Sequence, residues 1–146
     1  MRNLARTLLF LALAMFAAPA AAQSPTPTGL WLHANGRIRV EIMPCGDRLC
    51  GKLVWFQWPN DLAGLPLVDV KNADPTLRSR PLLGLTVVRG LRRTAQNSWG
   101  DGRIYNPDDG VEYLATMSIQ ADGTLRVRAY VLLPMLGKTF VWTRLR

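Results

Sequence analysis

Histidine occurs once in this sequence, at position 33, and cysteine twice, at 45 and 50. Any Ser-His-Asp relay or zinc cluster would have to be built on that one imidazole, with no second histidine and no spare thiol beside it, so no metal and no cofactor is expected. His33 stands next to Asn35-Gly36, where an exposed polar tip is the plain reading. Long apolar runs are confined to the N-terminus: nothing beyond residue 22 approaches the roughly 20 apolar residues of a membrane-spanning helix, and no transmembrane segment is expected there. Helical periodicity long enough to form a layer is missing too. Acidic residues are the minority, 10 against 18 basic, and lysine is scarce, since 15 of the basic residues are arginine. Arginine favours planar, bidentate contacts with carboxylate or phosphate over diffuse attraction.

What is present begins with an address. Arg2 and Arg6 precede the apolar run Leu8 to Ala18 and the small residues Ala20-Ala21-Ala22, the succession of a secretory signal peptide. Cleavage is expected between Ala22 and Gln23, because Pro19 and Gln23-Ser24-Pro25 end the run too early for an anchor. The expected location is periplasmic or secreted. Removing residues 1–22 leaves 124 residues with 16 basic and 10 acidic side chains, a net charge of +6. That length suits one domain, which buries about two-thirds of the surface of its unfolded chain. A basic exported protein can meet anionic envelope components, and its address argues against nucleic acid.

In an oxidising compartment an isolated pair such as Cys45 and Cys50 is expected to form a disulfide. The residues between them, Gly46-Asp47-Arg48-Leu49, are turn-like, and strands on either side would bring the two Cβ atoms together. The bridge would clamp a hairpin.

Residues 23–28, with Pro25 and Pro27, read as an extended, poorly ordered leader, and the domain runs from Gly29 to Arg146. Leu30 to Ala34 and Arg37 to Met43 flank Asn35-Gly36, the strongest short signal for a type I′ hairpin turn. Ile38, Val40 and Ile42 alternate with Arg37, Arg39 and Glu41, which is strand period with one wet face. Further strands are expected at Gly51 to Phe56, Leu85 to Leu91, Ser98 to Tyr105, Val111 to Gln120, Thr124 to Leu133 and Lys138 to Leu145. Gln57 to Leu83 has no sustained period and is broken by Pro59, Pro66, Pro75 and Pro81. It reads as one long loop, with a short helical turn at Asp74 to Leu77 capped by Asp74 with Pro75 first. Eight strands joined mostly by short turns form a meander, and closure would remove both exposed edges. The expected fold is all-β, an eight-stranded antiparallel up-and-down barrel, with a sandwich as the alternative. Such a barrel is just wide enough to be filled by side chains or to hold one small ligand.

Gly29-Leu30-Trp31 on the first strand and Trp142-Thr143-Arg144 on the last resemble the lipocalin and wider calycin barrels, where the arginine covers the tryptophan and plugs the base. Guanidinium over indole is a favourable cation–π pairing in its own right. A longer pattern runs through Cys45-Gly46, Leu49-Cys50-Gly51, Asp69-x-x-Asn72-x-Asp74, Leu77-Arg78-x-Arg80-Pro81-Leu82-x-Gly84, Trp99-x-x-Gly102-x-Ile104-Tyr105-x-Pro107, Gly110-x-x-Tyr113, Leu125-x-Val127-Arg128-x-Tyr130 and Leu136-Gly137-Lys138-Thr139. It resembles the bacterial exported family called domain of unknown function 2147 (DUF2147). The resemblance implies an exported lipocalin-like barrel and no particular activity.

The candidate site is the segment that brings Asp69, Asn72, Asp74, Arg78 and Arg80 into one loop. Two readings stand side by side: these groups hold the loop in shape by bonding its backbone, or the two arginine forks bind an anionic group at the barrel mouth. Trp55, Trp99, Tyr105 and Tyr113, with Trp58 and Tyr130, offer stacking faces for a ring, a sugar or an acyl chain, set against the ordinary role of strand aromatics in core packing. Outward-facing Arg126 and Arg128, with Arg89, Arg92 and Arg93, would form a basic stripe if the sheet gathers them. Asp108 and Asp109 sit in a turn, and Asp69 and Asp74 stand near Arg78 and Arg80, so neither pair suits glycoside hydrolysis. The functional expectation is a non-enzymatic exported barrel holding a small apolar or amphiphilic ligand, with an acidic head met by Arg78 or Arg80. The alternative is an envelope interaction protein with a filled barrel and a basic, aromatic surface. A hydrolase comes third.

Overall fold

The computed structural model of the chain describes residues 24–146, so the expected signal and its cleavage point lie outside the described residues. Eight strands form one closed barrel: β1 (Gly29–Leu32), β2 (Ile38–Cys45), β3 (Arg48–Phe56), β4 (Thr86–Ala95), β5 (Ser98–Asn106), β6 (Val111–Ile119), β7 (Leu125–Tyr130) and β8 (Lys138–Arg144). Each pairs antiparallel with the next, and β8 closes on β1 through Trp31 opposite Arg144 and Leu32 opposite Thr143. The sandwich alternative is set aside by that closure. Among the described residues two 3₁₀ turns, Pro75–Leu77 and Pro134–Leu136, complete the secondary structure. Asp74 caps the first, its carboxylate accepting from the Thr76 amide at 2.9 Å.

Strand direction divides the barrel into two ends. The disulfide hairpin, the β4–β5 and β6–β7 turns and both termini of the domain lie at one end. That end is packed solid: Trp31, Ile42, Leu91, Met117, Leu125 and Trp142 are buried with Trp99 in one continuous core. Arg144 lies over the Trp31 ring, 4.2 Å from its centroid, and donates to the carbonyls of Thr28 at 3.0 Å and Thr26 at 2.6 Å. The Trp31 indole N–H donates to the Pro27 carbonyl at 2.7 Å. The stretch expected to be a loose leader is therefore tied down from Thr26 onward. Gly29 has no side chain because there is no room for one: a Cβ would stand 2.4 Å from the Arg146 carbonyl oxygen.

Two local readings differ in an instructive way. Gly36 has φ of +70°, but Asn35 does not share a positive φ, so the type I′ turn, which needs both, does not form. Instead the Gly36 amide closes a turn onto the His33 carbonyl at 2.8 Å, and the Asn35 side chain accepts from the Arg37 amide at 2.9 Å. The short side-chain acceptor makes a five-residue loop self-sufficient. Cys45 and Cys50 are bonded to each other with Cα atoms 5.7 Å apart, yet they do not face one another directly. Cys45 pairs with Arg48 and Cys50 with Met43, so the bridge runs diagonally across a tighter hairpin than the spacing suggested.

Candidate functional site

At the other end the barrel is not filled. Ile38 and Val40 from β2, Leu53 and Phe56 from β3, Val87 from β4, Ile104 and Tyr105 from β5, Ala129 from β7 and Phe140 from β8 surround a cavity of about 360 Å³. The inward face of β7 shows why space opens there. Leu125 and Val127 are fully buried in the packed half, and the next inward position is only Ala129. The walls are apolar because strand side chains alternate between interior and solvent. Where the strands end, the lining turns polar with His33, Asn35, Asn106, Asp108, Asp109, Tyr113, Tyr130 and Lys138.

Most polar groups at this mouth are already engaged. Asp109 accepts from the Tyr113 hydroxyl at 2.8 Å, from Asn106 Nδ2 at 2.9 Å and from the Val111 amide at 2.9 Å. Burial pushes its carboxyl pKa up, and these donors outweigh burial to hold it below the usual range. His33 packs against Phe140 and Trp142, and its partial burial lowers its pKa, so the imidazole is neutral at neutral pH. Among the described residues, the side chains of Asp108, Tyr130 and Lys138 have no hydrogen-bond or ion-pair partner. The mouth thus offers a free carboxylate, a free ammonium and a free phenol above an apolar chamber.

Beside the mouth lies the long β3–β4 connection. It is not structureless: Val68 pairs with Pro81, the Asp69 amide donates to the Arg80 carbonyl at 3.0 Å, and the Leu82 amide to the Leu67 carbonyl at 3.0 Å. At its centre the Asp69 side chain, 0% exposed, accepts from the Tyr105 hydroxyl at 2.6 Å, from Asn72 Nδ2 at 2.8 Å and from the Arg80 guanidinium at 2.8 and 2.7 Å. Burial acts to raise the Asp69 pKa, but the three donors prevail and hold it below its ordinary value. The same contact raises Tyr105, by burial first and then by the carboxylate. Arg78 donates to the Asn72 carbonyl at 2.8 Å. Gly110 of the β5–β6 turn presses on the same segment so closely that a Cβ would fall 1.9 Å from the Lys71 carbonyl oxygen. Leu82 then reaches the cavity wall.

The candidate residues therefore divide among four places. Tyr105 and Tyr113 line the cup. Asp69, Asn72 and Arg80 form a cluster behind Tyr105, while Asp74 and Arg78 serve the backbone of the connection, and none of these five lies on the cup wall. Trp99 is in the packed half, because β5 begins at the closed end and reaches the mouth only at Ile104–Tyr105. Trp55 is turned outward by a β-bulge. Val40 pairs with Leu53 but Arg39 pairs with Trp55, which leaves Val54 as the extra residue and reverses the alternation beyond it. Arg39 stacks on the Trp55 ring at 4.3 Å, and Phe56 takes the inward place. The basic stripe is broken too, since Arg89 pairs with Glu112 and Arg92 with Asp101.

Sequence reading missed the aliphatic wall, Asp108 and Lys138. The alternation of β2 and β7 carried the first; nothing local marks the other two, which reach the mouth only through closure of the barrel.

A closed eight-stranded antiparallel barrel, packed at one end and open as a cup at the other, is a lipocalin-like barrel. The chain belongs to the bacterial family described as "Uncharacterized protein conserved in bacteria (DUF2147)", whose model matches residues 29–144. A solved structure described as "Protein HP1028 from the human pathogen Helicobacter pylori belongs to the lipocalin family" superposes with a TM-score of 0.69 at 24% identity, covering 82% of each chain. That likeness concerns the fold. No curated protein matches the chain.

Proposed function

We propose that this protein is a non-enzymatic carrier that holds one small apolar or amphiphilic molecule in the cup. The observation that carries the reading is the cavity itself, about 360 Å³ of apolar chamber under a polar mouth, the usual architecture of a small-molecule site and near the lower end of its size range. The apolar body of the ligand lies among Val40, Leu53, Ile104 and Phe140. Its head meets Asp108, Tyr130 and Lys138, whose opposite charges suit a neutral or zwitterionic group better than a simple acid. Arg78 and Arg80 are engaged in the connection and are not assigned to the head. The wall contains no serine, threonine or cysteine, which supports binding over acyl transfer.

The same proposal includes export with cleavage after Ala22, supported by the signal-like N-terminus and by the Cys45–Cys50 bond. Intact mass beginning at Gln23 is the expected result, and an uncleaved Met1 would oppose it. For the cup, calorimetric titration with a panel of medium-chain alcohols, acids and betaines should give saturable 1:1 binding. Ala129→Trp, which fills the chamber, should abolish it, whereas Arg78→Ala should not. Binding that survives Ala129→Trp in a folded variant would refute the reading.

A further inference from the structure

The β7–β8 connection is unlike any other turn in the barrel. Val131, Leu132, Leu133, Met135 and Leu136 are each 52 to 78% exposed, a run of apolar side chains that a soluble monomer ordinarily does not display without a use. We propose that this loop docks the open end of the barrel on an anionic lipid bilayer, with Leu132, Leu133, Met135 and Leu136 entering the interfacial region.

Three observations select lipid as the occupant. The last turn of the loop closes on itself: the Leu136 amide donates to the Leu133 carbonyl at 3.0 Å, the Gly137 amide to the Pro134 carbonyl at 3.2 Å, Pro134 has no N–H to satisfy, and Arg128 Nε also donates to the Pro134 carbonyl. The amides of Leu132, Leu133 and Met135 have no backbone acceptor among the described residues, so the tip suits the interfacial depth, where water and headgroups can pair with them. The eight strands close on one another, and the edge left beside the loop, the part of β8 from Lys138 to Trp142 that β1 does not reach, is too short to be a strong ladder for a peptide strand. Finally, no acidic residue occurs from Gly123 to Arg146; of the five basic residues there, Arg126, Arg144 and Arg146 lie toward the closed end. The other two, Arg128 and Lys138, stand at the neck of the loop, and Lys138 has no ion-pair partner among the described residues. Cations at the base of an apolar tip match a surface of anionic headgroups over acyl chains.

Exposed Trp58, Leu62, Leu65 and Leu83 of the long connection lie at the same end of the barrel. Val131 and Leu136 also border the cup, so docking would set its mouth against the lipid, where an amphiphile could pass directly between bilayer and chamber. The docking itself does not require that the cup be occupied.

The test is flotation of the protein, as recovered from cells and with its N-terminus defined by intact mass, with phosphatidylglycerol/phosphatidylethanolamine vesicles and with phosphatidylcholine vesicles at low and physiological salt. The parent should float with the anionic vesicles and far less with the neutral ones. The double change Leu133→Asp and Met135→Asp should weaken partitioning by about tenfold or more, with an unchanged melting temperature, because neither side chain is in the core. Lys138→Gln should weaken binding by about fivefold on the anionic vesicles alone. Whatever residues precede Gln23 are common to parent and variants, so the difference reports on the loop. A parent that does not float with anionic vesicles at low salt would overturn the proposal. So would equal flotation of parent and double variant, or a parent dimer that Met135→Asp dissociates, which would make the loop a protein interface.

Discussion

Asp69 is the residue on which the shape of the connection rests, and Asp69→Asn tests that claim without changing its size. The carboxylate receives hydrogen bonds from Tyr105, Asn72 and Arg80 and is wholly buried. An amide can accept with only one of its two terminal atoms, so at least one donor is left facing an NH₂ group. Breaking a buried pair in this way costs about 3 to 5 kcal/mol, but the Arg80 side chain is 33% exposed and can rehydrate, which lowers the expectation to about 2 to 4 kcal/mol. For a domain of this size that is a fall in Tm of roughly 8 to 15 °C. Urea denaturation followed by tryptophan fluorescence should show the midpoint falling with the slope unchanged.

The pH dependence provides a second reading. Because the folded Asp69 pKa lies below its ordinary 3.8, the unfolded chain takes up the proton first. The stabilisation is fully present above the unfolded value and is lost as pH falls through the folded one. The gap between parent and Asp69→Asn should therefore be constant from pH 7 down to about 5 and shrink below about 4. Tyr105→Phe should cost about 1 kcal/mol and be non-additive with Asp69→Asn. A variant within about 0.5 kcal/mol of the parent, or a gap indifferent to acid, would refute the argument.

Trp31→Ala should lower stability by about 3 to 5 kcal/mol, because the indole is buried under Arg144 and bonded to Pro27; an unchanged denaturant midpoint would contradict that packing. Replacing both Cys45 and Cys50 by Ser should cost only about 2 kcal/mol, since the closed loop is short and the hairpin keeps its strand pairing. Loss of the barrel's near-ultraviolet circular dichroism in this variant would show that the bridge holds more than the hairpin.

Much of the fold was legible because its signal is local. Ile38, Val40 and Ile42 on β2, or Leu125, Val127 and Ala129 on β7, declare an inward face by period alone, and glycine and aspartate at the β5–β6 and β6–β7 turns place the reversals. What failed was decided by geometry between strands. Trp55 and Phe56 are adjacent apolar residues, and only the bulge at Val54, set by the partner strand, tells which one enters the barrel. The Asn35 turn depends on a side-chain hydrogen bond that competes with the type I′ backbone. At the site, the cluster of Asp69, Asn72 and Arg80 was visible as a group of polar residues in one loop, but its fourth member, Tyr105, lies 36 residues away from Asp69, and that contact is what makes the cluster a support behind the cup wall. Asp108 and Lys138 have no motif, and they meet at the mouth only once β8 has closed on β1.

The central claim is that the open half of the barrel receives a ligand, and the most direct measurement is a crystal structure of the protein grown with a medium-chain zwitterionic amphiphile. Density is expected for an apolar chain between Val40, Leu53, Ile104 and Phe140, with its head between Asp108 and Lys138. A chamber closed by side chains, or an amphiphile ordered only on the outer surface, would contradict it.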